Sequence, residues 1–117
     1  MLTRVSKEGK LHTSFAVGGQ TALPIPMEYV QYRGLEKGQE LYAHVKKIGD
    51  MTVFCYSEAN PDPESAVTLT RKIQHTARMF RINMPPLFYT AMNHSPGDKY
   101  EVYHDQEGTL IYEKVNQ

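Results

Sequence analysis

The chain has 117 residues, 40% hydrophobic and 22% charged, with thirteen Lys/Arg balanced by thirteen Asp/Glu. This length supports one compact core or two very small halves and excludes chemistry that needs a large interdomain cleft; no apolar run approaches the roughly 18 to 20 residues of a helical membrane span. The opening MLTRVSKEGK is charged and lacks the apolar stretch of a signal peptide, so a cytoplasmic protein is expected.

In chain order, the first clear element is QTALPIP, whose alternating apolar residues predict a half-buried strand. Pro26 then begins a short helix, PMEYVQYR, where its missing N–H costs nothing and its fixed φ is already helical. Gly34 suits the left-handed residue that ends a helix. A turn at Lys37-Gly38-Gln39 leads to a strand in ELYAHVKK, and a hairpin turn at Gly49-Asp50 leads to another in MTVFCY. The lone Cys55 lies in that apolar run and is read as a buried structural thiol. SEANPDPESAVT, with two prolines and three acids, reads as an exposed linker.

The second half repeats this order. MFRINMP predicts a strand, PPLFYTAM a short helix ended by Asn93, Pro96-Gly97-Asp98 a turn, and KYEVYHD and TLIYEKV two strands joined near Glu107-Gly108. When the chain is slid along itself so that Pro26 falls on Pro85, Gly38 falls on Gly97 and Gly49 on Gly108 without a gap. In this repeat frame Leu23 also falls on Ile82, Tyr29 on Phe88 and Leu41 on Tyr100. Upstream, Leu2-Thr3-Arg4 recurs as Leu69-Thr70-Arg71 at a longer displacement, and the glycine-bearing AVGGQT is expected to hold the extra length of the first copy. The chain is therefore divided into a first repeat at 1–57, an acidic proline-containing linker at 58–68 and a second repeat at 69–117. A unit of this size is marginal alone, so the two are expected to share one core.

Charge is uneven within the neutral total. Residues 1–57 carry seven Lys/Arg against five Asp/Glu, 58–70 none against three, and 71–117 six against five. Arg71, Lys72, Arg78 and Arg81 fall close together in a stretch that contains no acid, a local basic patch able to bind phosphate.

The order strand, strand, short helix, strand, strand, with proline closing the second strand and a Gly-type turn after the helix, resembles the AbrB/MazE/SpoVT swapped-hairpin family. The first copy supplies Pro24, Pro26, Gly34-Leu35, Gly38 and Gly49; the second supplies Met84-Pro85, Asn93, Gly97-Asp98 and Gly108. The resemblance implies a mainly β fold with two short helices, a cradle-loop β-barrel of interleaved hairpins, closed here by two internal repeats as a pseudo-dimer that could itself form a homodimer or higher oligomer. It also implies a DNA-binding transcriptional regulator, with Arg4, Lys7 and Lys10 of the first copy and Arg71, Lys72, Arg78 and Arg81 of the second facing duplex DNA. The alternative on the same barrel is a protein-binding or inhibitory module without DNA binding. The chain departs from the family where an arginine pair commonly follows the proline: Val30 and Gln31 stand there in one copy, Tyr89 and Thr90 in the other.

An enzyme is not expected. His12, His44, His75, His94 and His104 show no HxxxH or HExxH spacing for a metal. Asp62 and Glu64 sit in the linker, and no GxSxG, GxxxxGK[ST] or GxGxxG occurs. No catalytic residue, metal or cofactor is assigned. Tyr29, Tyr32, Phe88 and Tyr89 fall on the short helices, where some of them are expected to fill the core; several proving exposed would suggest a protein-binding face.

Overall fold

The computed structural model describes residues 2–5, 10–64, 69–76, 79–90 and 93–115. In chain order the elements are β1 (Thr3–Arg4), β2 (His12–Thr13), β3 (Phe15–Val17), β4 (Gln20–Ile25), α1 (Met27–Arg33), β5 (Glu40–Ile48) and β6 (Met51–Ser57). They continue with β7 (Thr70–Lys72), β8 (Gln74–Thr76), β9 (Met79–Asn83), a 3-10 turn (Pro86–Phe88), β10 (Lys99–His104) and β11 (Leu110–Lys114). The fold is mainly β, and every strand pair among the described residues is antiparallel. No described helix is long and apolar enough to cross a membrane.

Two sheets face each other. The larger has the order β1-β10-β11-β6-β5-β7, with β2 also on β10; the smaller has the order β3-β4-β9-β8. The near-continuous apolar runs of β6 and β11, the central strands of the larger sheet, follow from their being covered on both faces. Phe54, Tyr56, Leu110 and Tyr112 enter the main core with Leu23, Ile82, Leu41 and Ile73. Val53, Cys55 and Ile111 form a second cluster beneath Leu2, Ile48 and Tyr103. Cys55 is fully buried there, and burial pushes its thiol up to about 12.

Strand registers recur in the frame that sets Pro26 on Pro85. Thr13 pairs with Lys99 as Lys72 pairs with Glu40, and His12 with Tyr100 as Arg71 with Leu41. Phe15 pairs with Ala22 as Gln74 with Arg81. In β4 and β9, Leu23 pairs with Ile82, its own counterpart. The corners agree: Ser14 N–H donates to the carbonyl of Asp98 and Ile73 N–H to that of Gln39, at 2.9 and 2.8 Å.

These registers correct several sequence expectations. The counterpart of β7 is β2, not the Leu2-Thr3-Arg4 segment, so the extra length of the first half lies in and around β1 rather than in AVGGQT. The glycines of that stretch make a tight hairpin turn, because Gly18 and Gly19 adopt φ of +55° and +81°. The last hairpins also differ: Ile48 pairs with Met51 across two residues, whereas His104 pairs with Leu110 across five. Gly108 is therefore not the structural counterpart of Gly49, and Tyr112 rather than Val115 stands in the place of Tyr56. The second expected helix is a single 3-10 turn, consistent with the aromatic and β-branched residues Phe88, Tyr89 and Thr90, poor helix formers beside MEYVQYR. Finally, no closed barrel is found: among the described residues the sheets end at β1 and β7 and at β3 and β8. At Ser14 and Ile73, single residues between β2 and β3 and between β7 and β8, the chain passes from the larger sheet to the smaller.

Two buried tyrosines tie the sheets together. Tyr56 donates its hydroxyl to the carbonyl of Asn83 at 2.8 Å, and Tyr112 to that of Pro24 at 2.7 Å. Pro24 and Asn83 are counterparts in the repeat frame, so the ties are reciprocal. Each satisfies a polar group that would otherwise be buried unpaired. Tyr56→Phe and Tyr112→Phe should each lower stability by about 1 kcal/mol, measured as a shift in the urea midpoint; a loss confined to one of them would contradict their equivalence.

Candidate nucleic-acid interface

Two stretches of the chain contain no acid at all, 10–27 and 71–97. They supply β2, β3 and β4 from one side and β7, β8 and β9 from the other; the β4–β9 pairing joins β3, β4, β9 and β8 into the smaller sheet, while β2 and β7 belong to the larger. Together the two stretches hold five cations and no carboxylate side chain, against eight cations and thirteen acids in the rest of the chain. The smaller sheet is thus acid-free in every strand.

Alternation along its strands decides which side chains face outward. Leu23, Ile25, Phe80 and Ile82 pack in or against the core, so Gln20, Pro24, Arg81 and Asn83 lie on the other face. Gln74 stands opposite Arg81 in the register, on the same face. Asn83 Nδ2 donates to Gln20 Oε1 at 2.6 Å. Arg81 is half-buried, and its Nε is buried with no hydrogen-bond partner. An arginine with an unfilled donor, ringed by amides and facing no carboxylate of its own sheet, can donate to phosphate oxygens or to base edges. Four strands span about 14 Å at ~4.8 Å per spacing, close to the ~12 Å width of a major groove.

The other residues singled out from the sequence divide into two groups. Arg71 and Lys72 lie on β7 of the larger sheet, which runs into β8 through Ile73; they face opposite ways, Arg71 standing opposite the core residue Leu41 and Lys72 opposite Glu40. Lys72 is exposed; Arg71 is half-buried and donates from Nη1 to the carbonyl of Thr70 at 2.7 Å. Exposed Lys10 precedes β2, which runs into β3 at the opposite edge. Lys7 and Arg78 lie outside the described residues, the latter between β8 and β9 in sequence. Arg4 belongs elsewhere. It sits on β1, five strand spacings or about 24 Å across the larger sheet from β7. There it pairs with Glu101 at 3.0 Å and lies over the Tyr103 ring at 5.2 Å.

Sequence reading found the basic cluster at 71–81 but missed its partner stretch, 10–27, and the amides Gln20, Gln74 and Asn83. The available signal was the absence of acids rather than the presence of bases, and it spans two segments that only strand pairing joins. The histidines stay apart. His12, His44 and His94 are each held below the ordinary imidazole value, in every case chiefly by burial. Comparison of the chain with protein-family models, with curated proteins and with solved structures gave no match.

Proposed function

We propose that this protein is a DNA-binding regulator of the AbrB-like kind, two tandem units interlocked as a pseudo-dimer, that holds duplex DNA against the acid-free sheet. The observation that carries the reading is the joining of 10–27 to 71–97, segments that together bring five cations and no carboxylate side chain. The recurrence of strand register between the two halves supports the duplicated, interleaved architecture. Arg81 is the central contact, and Arg71, Lys72 and Lys10 add positive charge from the adjoining segments. Arg4 has no part in it, because Glu101 already neutralises it at the far edge of the other sheet.

Phosphate contacts of this kind release condensed counterions, so affinity should fall steeply with salt. Anisotropy titrations of a labelled random duplex should give log K against log salt with a slope of about −4, at ~0.9 per neutralised phosphate. Arg81→Ala should reduce that slope by about 1, and Arg4→Ala should leave it unchanged. Absence of binding at low salt, or equal effects of the two variants, would overturn the proposal.

A further inference from the structure

The pseudo-dyad that relates the two halves passes between Leu23 and Ile82, which pair with each other and are counterparts in the repeat frame. Around it, the outward face of the smaller sheet forms two rows of cross-strand neighbours, Phe15–Ala22–Asn83 and Gln74–Arg81–Pro24. The dyad exchanges these rows: Phe15 takes the place of Gln74, Ala22 of Arg81 and Asn83 of Pro24. In backbone the face is two-fold symmetric.

Its side chains are not. Against the core, Leu23 is matched by Ile82 and Ile25 by Met84, all of them buried. On the outward face a phenyl ring answers an amide and a methyl answers a guanidinium, and one position further along the edge strands Val17 answers Thr76. Phe15 and Val17 are half-buried and belong to neither core cluster. Ala22 is fully buried between Phe15 and Asn83, so it offers no contact of its own. Across the dyad, Thr76 is exposed and Gln74 and Arg81 are half-buried. One half of the face is therefore apolar, and the other supplies hydrogen-bond donors. Glu28 of α1 acts on His12 beside Lys10, on the side where β2 runs into β3; it adjoins the apolar half, where no charged contact is assigned. Residues 6–9, 77 and 78 lie outside the described residues and carry no part of the assignment.

A two-fold protein reads a palindrome because its two halves present the same side chains to the two half-sites. We propose that this sheet instead reads a non-palindromic duplex element, with guanine facing Arg81 and thymine facing Phe15 and Val17. The inference rests on the regulator reading of the same face. A guanidinium fork matches the O6 and N7 acceptors of guanine, while a phenyl ring suits the thymine methyl. Phe15 and Arg81 are two strands and two residues apart, about 12 Å at ~4.8 Å per strand spacing and ~3.4 Å per residue. The two bases then fall about three or four pairs apart, at ~3.4 Å for each pair.

Selection of bound duplexes from a random pool should recover non-palindromic sequences with guanine and thymine at that separation. Placing 7-deazaguanine at the recovered guanine removes N7 and should weaken binding about tenfold. Uracil in place of the thymine removes only the methyl and should weaken it about fourfold. Phe15→Ser should erase the thymine–uracil difference without altering the salt slope, because Phe15 carries no charge. Arg81→Lys should erase the guanine preference and keep that slope, since lysine retains the charge without the fork; a misfolded variant would lose both. Palindromic recovered sequences, or base discrimination that these variants leave in place, would overturn the inference. Salt-dependent binding with no sequence preference would overturn it and leave the regulator reading standing, whereas absence of duplex binding at low salt would remove both.

Discussion

Truncating Leu23 to alanine will lower the stability of the fold by about 2–5 kcal/mol, the usual cost of emptying a well-packed aliphatic site. Leu23 is fully buried and pairs with the fully buried Ile82 in the one strand pair, β4 with β9, that joins the halves within the smaller sheet. Collapse into the cavity is opposed from both sides, because the larger sheet is held at its distance by the Tyr56 and Tyr112 ties. Ile82→Ala should cost a similar amount. The double variant tests whether the pair acts as one contact, since neighbouring truncations share a cavity and add incompletely. Against a typical total of about 5–15 kcal/mol, the double variant should be largely unfolded by circular dichroism. A urea midpoint for Leu23→Ala equivalent to less than about 1 kcal/mol of loss, below the usual range for such truncations, would show that this site repacks freely and that the β4–β9 pair is not the joint described.

Acid will destabilise the protein well above the range in which carboxylates titrate. His12, His44 and His94 are each depressed below 6.5 in the folded state, primarily because burial disfavours their charged forms. The His94 side chain is 1% exposed; its Nδ1 shares a hydrogen bond with the Tyr100 hydroxyl at 2.6 Å, and its Nε2 is buried without a partner. Well above pH 6.5 both folded and unfolded rings are neutral, and their contribution to stability is flat with pH. As pH falls through that value, unfolded histidines take up protons that the folded ones refuse, so stability is lost until the folded values are reached. The slope is at most about 1.4 kcal/mol per pH unit for each histidine, and less wherever solvent reaches the ring. Urea midpoints at pH 7.5, 6.5 and 5.5 check the sign. His94→Gln should flatten the curve, and a midpoint that is constant across the window, or rises on acidification, would contradict the burial argument. Asp98 and Glu101, both held below the usual carboxylate range, contribute their own losses only at lower pH.

The punctuation of the backbone was legible in the sequence because it depends on local sterics. Pro26 does precede α1, Gly34 ends it at φ +66°, and Pro85 precedes the 3-10 turn. Asn93 takes a positive φ of 48°, one of the few residue types that tolerate it. The strands at 40–48, 51–57, 99–104 and 110–114 also follow from composition and alternation. What stayed hidden was pairing. The identical tripeptides at 2–4 and 69–71 invited one alignment, yet hydrogen bonding equates β7 with β2, whose His12-Thr13 shares no residue with Arg71-Lys72. The length of the second hairpin loop was concealed in the same way, since Gly108 fits a turn whether it is closed tightly or by a longer loop. The candidate interface was half visible for a related reason: Arg81 stands in an obvious basic run, while the strand that completes its surroundings lies in the other half of the chain. Which of the helix aromatics fill the core was not legible: Tyr29 is buried, whereas Tyr32 is 57% exposed and stacked on His104 at 4.8 Å.

The order in which strands neighbour one another bears on how the protein is made. β1 pairs with β10, β4 with β9 as well as β3, and β6 with β11 as well as β5, so each of these early strands completes its pairing only with a partner from the second half of the chain. Contacts this distant in sequence make for slow folding. During synthesis the first half can offer only hairpins, which are marginal alone. A nascent chain stalled before β9 therefore has no smaller sheet, and one stalled before β11 lacks the strand that backs β6. Resistance to protease during synthesis should appear as a single late step, near the end of translation, rather than in two instalments, one for each half.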